Sequence, residues 1–206
     1  MFRPISTQKI GNHLYAVRTV HVNFYIYDTE NELMVFDTGI GKRMAESGFK
    51  KLKLDPNKVM HVFLTHSDSD HAGGLGLFKN ADIFISKKEE PMITHQKARK
   101  GIFYNKEIAD CHFMEDRETL QIDHSSVTLI SSPGHTVGSA MYVIDNEILV
   151  TGDTISLSKE GDIKYSGSFQ NMNHRENMET VDKLKGEKLF DKMSLIATGH
   201  YGILRK

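Results

Sequence analysis

Cysteine occurs once in this 206-residue chain, as Cys111, so no internal disulfide framework holds the fold. A lone thiol points to a reducing, cytoplasmic setting. The N-terminal stretch Met1–Tyr15 also lacks the apolar core of a secretion signal. Charge of one sign is missing too. The 26 Lys and Arg face 27 Asp and Glu, a net charge of -1, whereas a dedicated nucleic-acid binder would be basic. No apolar run approaches the roughly 18 residues that a membrane span needs. Internal repeats and low-complexity tracts are absent as well. What the chain does have is histidine, 11 residues in all. With a single cysteine beside them, any metal site is built from nitrogen and oxygen donors. The length and an ordinary 26% of charged residues fit one globular domain.

Short apolar runs separated by turn residues alternate along the chain. Strands are expected at Leu14–Arg18, Asn23–Tyr27, Glu32–Phe36, Val59–Leu64, Ala81–Ser86, Ser126–Ile130, Ala140–Ile144, Glu147–Val150 and Leu195–Ala197. Helices are expected at Lys42–Leu52 and Asn173–Lys185, the second opened by Asn173 with Glu176 three residues on, a variant capping box. Pro91–Lys106 reads as partly helical and partly loop.

Four of the apolar runs end in residues of metal-ligand type. Val59–Leu64 leads to His66, Asp68, Asp70 and His71; Ser126–Ile130 leads to His135; Glu147–Val150 leads to Asp153; and Leu195–Ala197 leads to His200. Strand ends converging at one sheet edge form the usual ligand crevice of α/β architectures. Seven such donors suffice for two metal ions about 3.5–4 Å apart.

The ordered series His66-x-Asp68-x-Asp70-His71-x-Gly-Gly, Pro-Gly-His135-Thr, Thr-Gly-Asp153 and Gly-His200 resembles the metallo-β-lactamase superfamily. The resemblance implies an α+β fold, a four-layer αββα sandwich forming a single domain over 1–206, with similar halves at about 1–112 and 113–206. It implies that His66, position 68 and His135 hold one metal, that Asp70, His71 and His200 hold the other, and that Asp153 bridges. Asp37, in Phe-Asp-Thr-Gly, is then expected to orient a ligand histidine.

The implied activity is that of a dinuclear metal-dependent hydrolase, attacking a small ester, thioester or lactone with a metal-bridging hydroxide that Asp70 helps to orient. The cofactors would be two divalent ions, zinc or iron/manganese. His174 and Tyr201 are the candidate substrate-binding residues, with Tyr165 and Phe169 as further aromatic candidates for the pocket wall. The expected partner is a small-molecule substrate, with a homodimer admitted and neither nucleic acid nor membrane involved.

The superfamily's first motif usually carries histidine where Asp68 stands. A carboxylate there is similar to the flavodiiron proteins and their diiron oxygen-binding relatives, which gives an alternative: a diiron oxygen-binding or redox protein. Counting two divalent ions, a bridging hydroxide and three carboxylates brings the cluster to about zero, a harder site better suited to iron or manganese. The remaining histidines, His21 among them, read as surface or strand residues, and Cys111 as a buried, inert thiol.

Overall fold

The most enclosed strands are apolar on both faces because both faces are covered. The computed structural model describes residues 1–99 and 101–206. Its first sheet has seven strands in sequential order: β1 (Gln8–Lys9), β2 (Leu14–Thr19), β3 (Val22–Asp28), β4 (Leu33–Phe36), β5 (Val59–Leu64), β6 (Asp82–Ser86) and β7 (His112–Met114). The second half of the chain gives β8 (Thr119–Ile122), β9 (Ser125–Ser131), β10 (Ala140–Ile144) and β11 (Ile148–Val150), then a separate ribbon of β12 (Ile155–Leu157) and β13 (Ile163–Tyr165). With β14 (Leu195–Ala197) and β15 (Ile203–Arg205) they complete a second sheet ordered β15-β14-β11-β10-β9-β8.

Alternation along each strand sorts side chains between layers. In β3, Tyr25 and Tyr27 face the core between the sheets, while Phe24 and Ile26 face outward. Tyr142 and Ile144 of β10 enter the same central core, opposite Phe36 and Phe63; Met141 and Val143 point to the other side. The outer face of the first sheet is covered by α1 (Lys42–Leu52), through Ala45 and Phe49. Two single-turn helices, α2 (Ser69–Ala72) and α3 (Glu90–Ile93), follow β5 and β6. On the second sheet lie α4 (His174–Gly186) and α5 (Leu189–Lys192), packed through Val181, Leu184 and Phe190. Helices outside two facing sheets are the expected αββα sandwich. The first sheet's last strand straddles the expected division near residue 112.

Strand direction places the site. β4, β5, β6 and β7 are parallel. β9 and β11 are both antiparallel to β10 and so run together, with β14 parallel to β11. The loops after β4, β5, β9, β11 and β14 therefore leave from carboxyl ends that converge. Among the described residues of Pro91–Lys106, expected to be partly helical, helix is confined to α3, Glu90–Ile93. The thiol Cys111 is half-buried rather than buried. Asn173 caps α4 as expected, its Oδ1 accepting from Glu176 N at 3.1 Å. The reciprocal half of the box is replaced, because Asn173 N donates to Gly134 O at 2.9 Å. No helix among the described residues is long and apolar enough to cross a membrane.

Candidate metal centre

Asp37, directly after β4, is the pivot of the site. Its φ of 62° is a left-handed conformation that Asp tolerates better than most side chains. Buried there, its carboxylate accepts from Thr65 N at 2.8 Å, from Thr65 Oγ1 at 2.9 and 3.0 Å, and from His71 Nδ1 at 2.8 Å. Thr65 has one hydroxyl proton, and a carboxylate can take it but not return one. His66 Nδ1, 2.9 Å from the same hydroxyl, must then be the donor. Both histidines are thereby turned so that Nε2 faces inward without a proton of its own in the neutral ring. His200 is set alike, with Nδ1 donating to His21 O at 2.7 Å.

The inward atoms form two adjoining groups. In the first, His66 Nε2, Asp68 Oδ2 and His135 Nε2 stand 3.5, 3.3 and 3.2 Å apart. Three ligands on a tetrahedral ion at about 2.0–2.1 Å are separated by about 3.3 Å. Three acceptor atoms at this spacing repel one another unless a cation lies among them. In the second group, His200 Nε2 is 3.4 Å from Asp70 Oδ2 and 3.0 Å from Asp153 Oδ2, while His71 Nε2 is 3.3 Å from Asp153 Oδ1. Asp153 Oδ2 also lies 3.6 Å from His135 Nε2, so one carboxylate faces both groups. His71 Nε2 and Asp153 Oδ1 are buried with no hydrogen-bond partner. Their orphaned state and the donor chemistry fit divalent metal ions.

Protonation follows the same geometry. Burial alone would raise the carboxyl of Asp153, but His71 and His200 hold it well below the usual range. Asp68 and Asp70 behave likewise: burial raises them, and His66 with His135, or His71 with His200, outweigh it. Burial disfavours charged His71, yet Asp153 and Asp37 push it well above the ordinary histidine value. Against the same burial penalty, the Asp153 carboxylate pushes His200 up to about 10. His135 goes the other way, lowered by burial.

The surrounding backbone is shaped to this cluster. Gly199 has no room for a side chain, since a Cβ would lie 2.4 Å from Asp153 Oδ1 and 2.8 Å from His71 Cε1. Gly134, at φ 124°, would press a Cβ to 2.4 Å from Asn177 N of α4. That helix also holds the loop after β11, where Asn177 Nδ2 donates to Thr154 O at 2.9 Å.

All seven expected ligands are brought together. The expected substrate-binding residues lie further out. Tyr201, half-buried beside His200, donates its hydroxyl to Gln170 Oε1 at 3.1 Å. His174 is paired with the Asn171 side chain at 3.0 Å and is not among the clustered donors. Tyr165 donates to Asp182 Oδ1 at 2.6 Å and packs against α4, and Phe169 is exposed.

Three residues of the site escape a motif reading. His21, expected as a surface or strand residue, lies at the β2–β3 turn with Nε2 3.3 Å from Asp70 Oδ2, and its ring is parallel to His200 at 5.5 Å. Glu89 is fully buried. It accepts from Ser67 N and Oγ at 3.0 and 2.7 Å, and from Thr136 Oγ1 and Gly138 N at 2.7 and 3.0 Å. It thus ties the His66 loop to the His135 loop, at the cost of a carboxyl raised by burial. Arg99 reaches Asp68 Oδ2 at 2.7 Å. Only the hydrogen-bonding of Glu89 had a local sign, in Ser67 and Thr136 directly following the ligand histidines.

Comparison with known proteins identifies the family and the fold. The family model for the metallo-β-lactamase superfamily matches residues 17–200. A probable metallo-hydrolase of Methanocaldococcus jannaschii is 28% identical over 159 residues, covering 77% of this chain and 65% of that protein. One from Bacillus subtilis is 24% identical over 201 residues, 89% of this chain and 87% of that protein. An atrochrysone carboxyl ACP thioesterase of a Cryptosporiopsis species is 26% identical over 136 residues, 65% of this chain. The chain spans only 38% of that thioesterase's length. Among solved structures, a subclass B3 metallo-β-lactamase of Bradyrhizobium japonicum superposes with a TM-score of 0.74 at 18% identity, over 96% of this chain and 78% of that one. The chain belongs to the metallo-β-lactamase superfamily.

Proposed function

We propose that the protein is a dinuclear metal-dependent hydrolase of a small ester, thioester or lactone. The observation that carries this reading is Asp153, whose carboxylate stands between two groups of inward-facing donors. His66, Asp68 and His135 would hold one divalent ion, and Asp70, His71 and His200 the other. The ions, zinc or iron/manganese, would supply an acidified water and a Lewis acid for a carbonyl oxygen.

The chain's own residues do the rest. Asp37 and His21 O fix the ring orientation of His71 and His200. Asp70, the least enclosed of the ligand carboxylates, is ionised and open to solvent on one side, placed to accept a hydrogen bond from an attacking water. Tyr201 and, further out, His174 would line the approach of substrate. The thioesterase relatives support an acyl substrate. Oxygen ligation by Asp68 keeps a diiron redox protein as the second reading.

Elemental analysis after mild purification, with assays on ester, thioester and lactone panels before and after chelation, tests both. Two ions per chain and chelator-sensitive hydrolysis are expected. One ion or fewer removes the dinuclear claim. Iron with oxygen uptake and no hydrolysis would transfer the case to the second reading.

A further inference from the structure

Arg99 reaches the metal centre from the loop after α3, although no ligand motif includes it. Its Nη1 lies 2.7 Å from Asp68 Oδ2, 3.2 Å from His135 Nε2 and 3.3 Å from His135 O. Its Nη2 donates to Gln170 O. A guanidinium only donates, so His135 offers it the Nε2 lone pair. Asp68 is meanwhile held in place from behind, its Oδ1 accepting from Asn105 Nδ2 at 2.8 Å. Asp68 Oδ2 and His135 Nε2 are two of the three atoms that define the first metal position.

We propose that Arg99 is a tethered cation competing with metal for the first position. One lone pair on His135 Nε2 cannot serve both an N–H donor and an ion. The ion can bind there only as the guanidinium withdraws from Nε2, whereas among the described residues no guanidinium reaches the second position, built from Asp70, His71, His200 and Asp153, where His21 Nε2 stands 3.3 Å from Asp70 Oδ2. Arg99 therefore weakens the first position selectively. Arg99 is anchored by Gln170 and attached to a half-exposed stretch of loop, so it withdraws without unpacking the core. This inference rests on the two-position reading above.

Equilibrium dialysis of the full chain against zinc, and separately manganese, with elemental analysis gives the stepwise affinities. In the parent, two stepwise affinities are expected. In Arg99→Gln one of the two should tighten at least about fivefold, within the ordinary range of coupling between binding events, with the other unchanged. Arg99→Lys, which keeps the charge on a single point, should fall between them. Two affinities that are both unmoved or weakened in Arg99→Gln overturn the proposal while leaving a dinuclear site intact. Failure of the parent to bind a second ion under any concentration, in parent and variant alike, overturns both readings.

Discussion

The Asp37 carboxylate and His71 Nδ1 are 2.8 Å apart in the buried layer beneath the metal centre, and this contact decides which nitrogen of His71 faces the donors. Asp37→Asn places an amide where the carboxylate was. Its Oδ1 can still accept from Thr65 N, but its NH2 then faces Nδ1, which becomes an acceptor and moves the proton to Nε2. The fold should survive, since the volume is unchanged. Metal at the second position should weaken by about 10–100-fold, the usual effect of losing an outer partner of a ligand. Stepwise affinities with a circular dichroism control check this, and an unchanged second position would remove Asp37 from its positioning role.

Glu89 makes the corresponding prediction for the first position. Its two oxygens accept four bonds from the His66 and His135 loops. In Glu89→Gln one oxygen becomes a donor, facing either Ser67 or the Thr136–Gly138 turn, and two buried donors lose their acceptor. The first position should lose about 10–100-fold in affinity, with the second within a few-fold of the parent. Equal losses at both would mean that Glu89 supports the fold generally and not those two loops.

Much of this site is written in local sequence, and some of it is not. His66, His71, His135, Asp153 and His200 were legible because each follows an apolar run that must be a buried strand, and the strand's end fixes the residue's place. Arg99, Glu89 and His21 were not. The stretch Pro91–Lys106 reads as part helix and part loop with no clear face, so nothing local says which side chain turns inward. Arg99 reaches Asp68 and His135 across 31 and 36 positions. His21 arrives by a tight turn whose first residue, Val20, has φ 58°. That is an unusual conformation for a β-branched residue, and composition does not reveal it. The sandwich was implied by the likeness of the ordered motifs to the superfamily, and the apolar strands buried between the layers agree with it.

Proton release should accompany metal binding at the second position. His71 is raised well above its ordinary value and His200 to about 10, so both rings are charged in the metal-free protein near neutral pH. Ligation requires the neutral ring, and about two protons should leave per ion bound there. Affinity should therefore rise with pH up to about 10. The stability of the metal-free chain runs the opposite way. The His200 contribution is complete below its unfolded value of 6.5 and is lost as pH rises through about 10. Calorimetry in buffers of differing ionisation heat measures the first effect, and thermal unfolding with chelator measures the second. Binding without proton release would contradict the charged-histidine account.

Metal choice brings Asp68 and Arg99 together. Counted from the ligand motifs alone, Asp68 adds a negative charge that favours harder ions. Arg99, 2.7 Å from Asp68 Oδ2, returns that charge, so the difference from a histidine at this position reduces to oxygen against nitrogen as the donor. Oxygen still moves a site toward iron or manganese, and imidazole toward zinc, but with less leverage than the charge count implies. The pairing also predicts the behaviour of variants. Asp68→His leaves the guanidinium beside a neutral ring, with no carboxylate to hold it and a divalent ion to repel it. First-position affinity should fall. Adding Arg99→Gln should tighten it by more than the roughly fivefold expected of Arg99→Gln in the parent, the excess being the coupling of residues in direct contact. A double-mutant cycle on zinc and iron(II) affinity, read by dialysis and elemental analysis under anaerobic conditions, gives the coupling. Additive effects would show that the two residues act independently, and Asp68 would then set the metal preference by its charge alone.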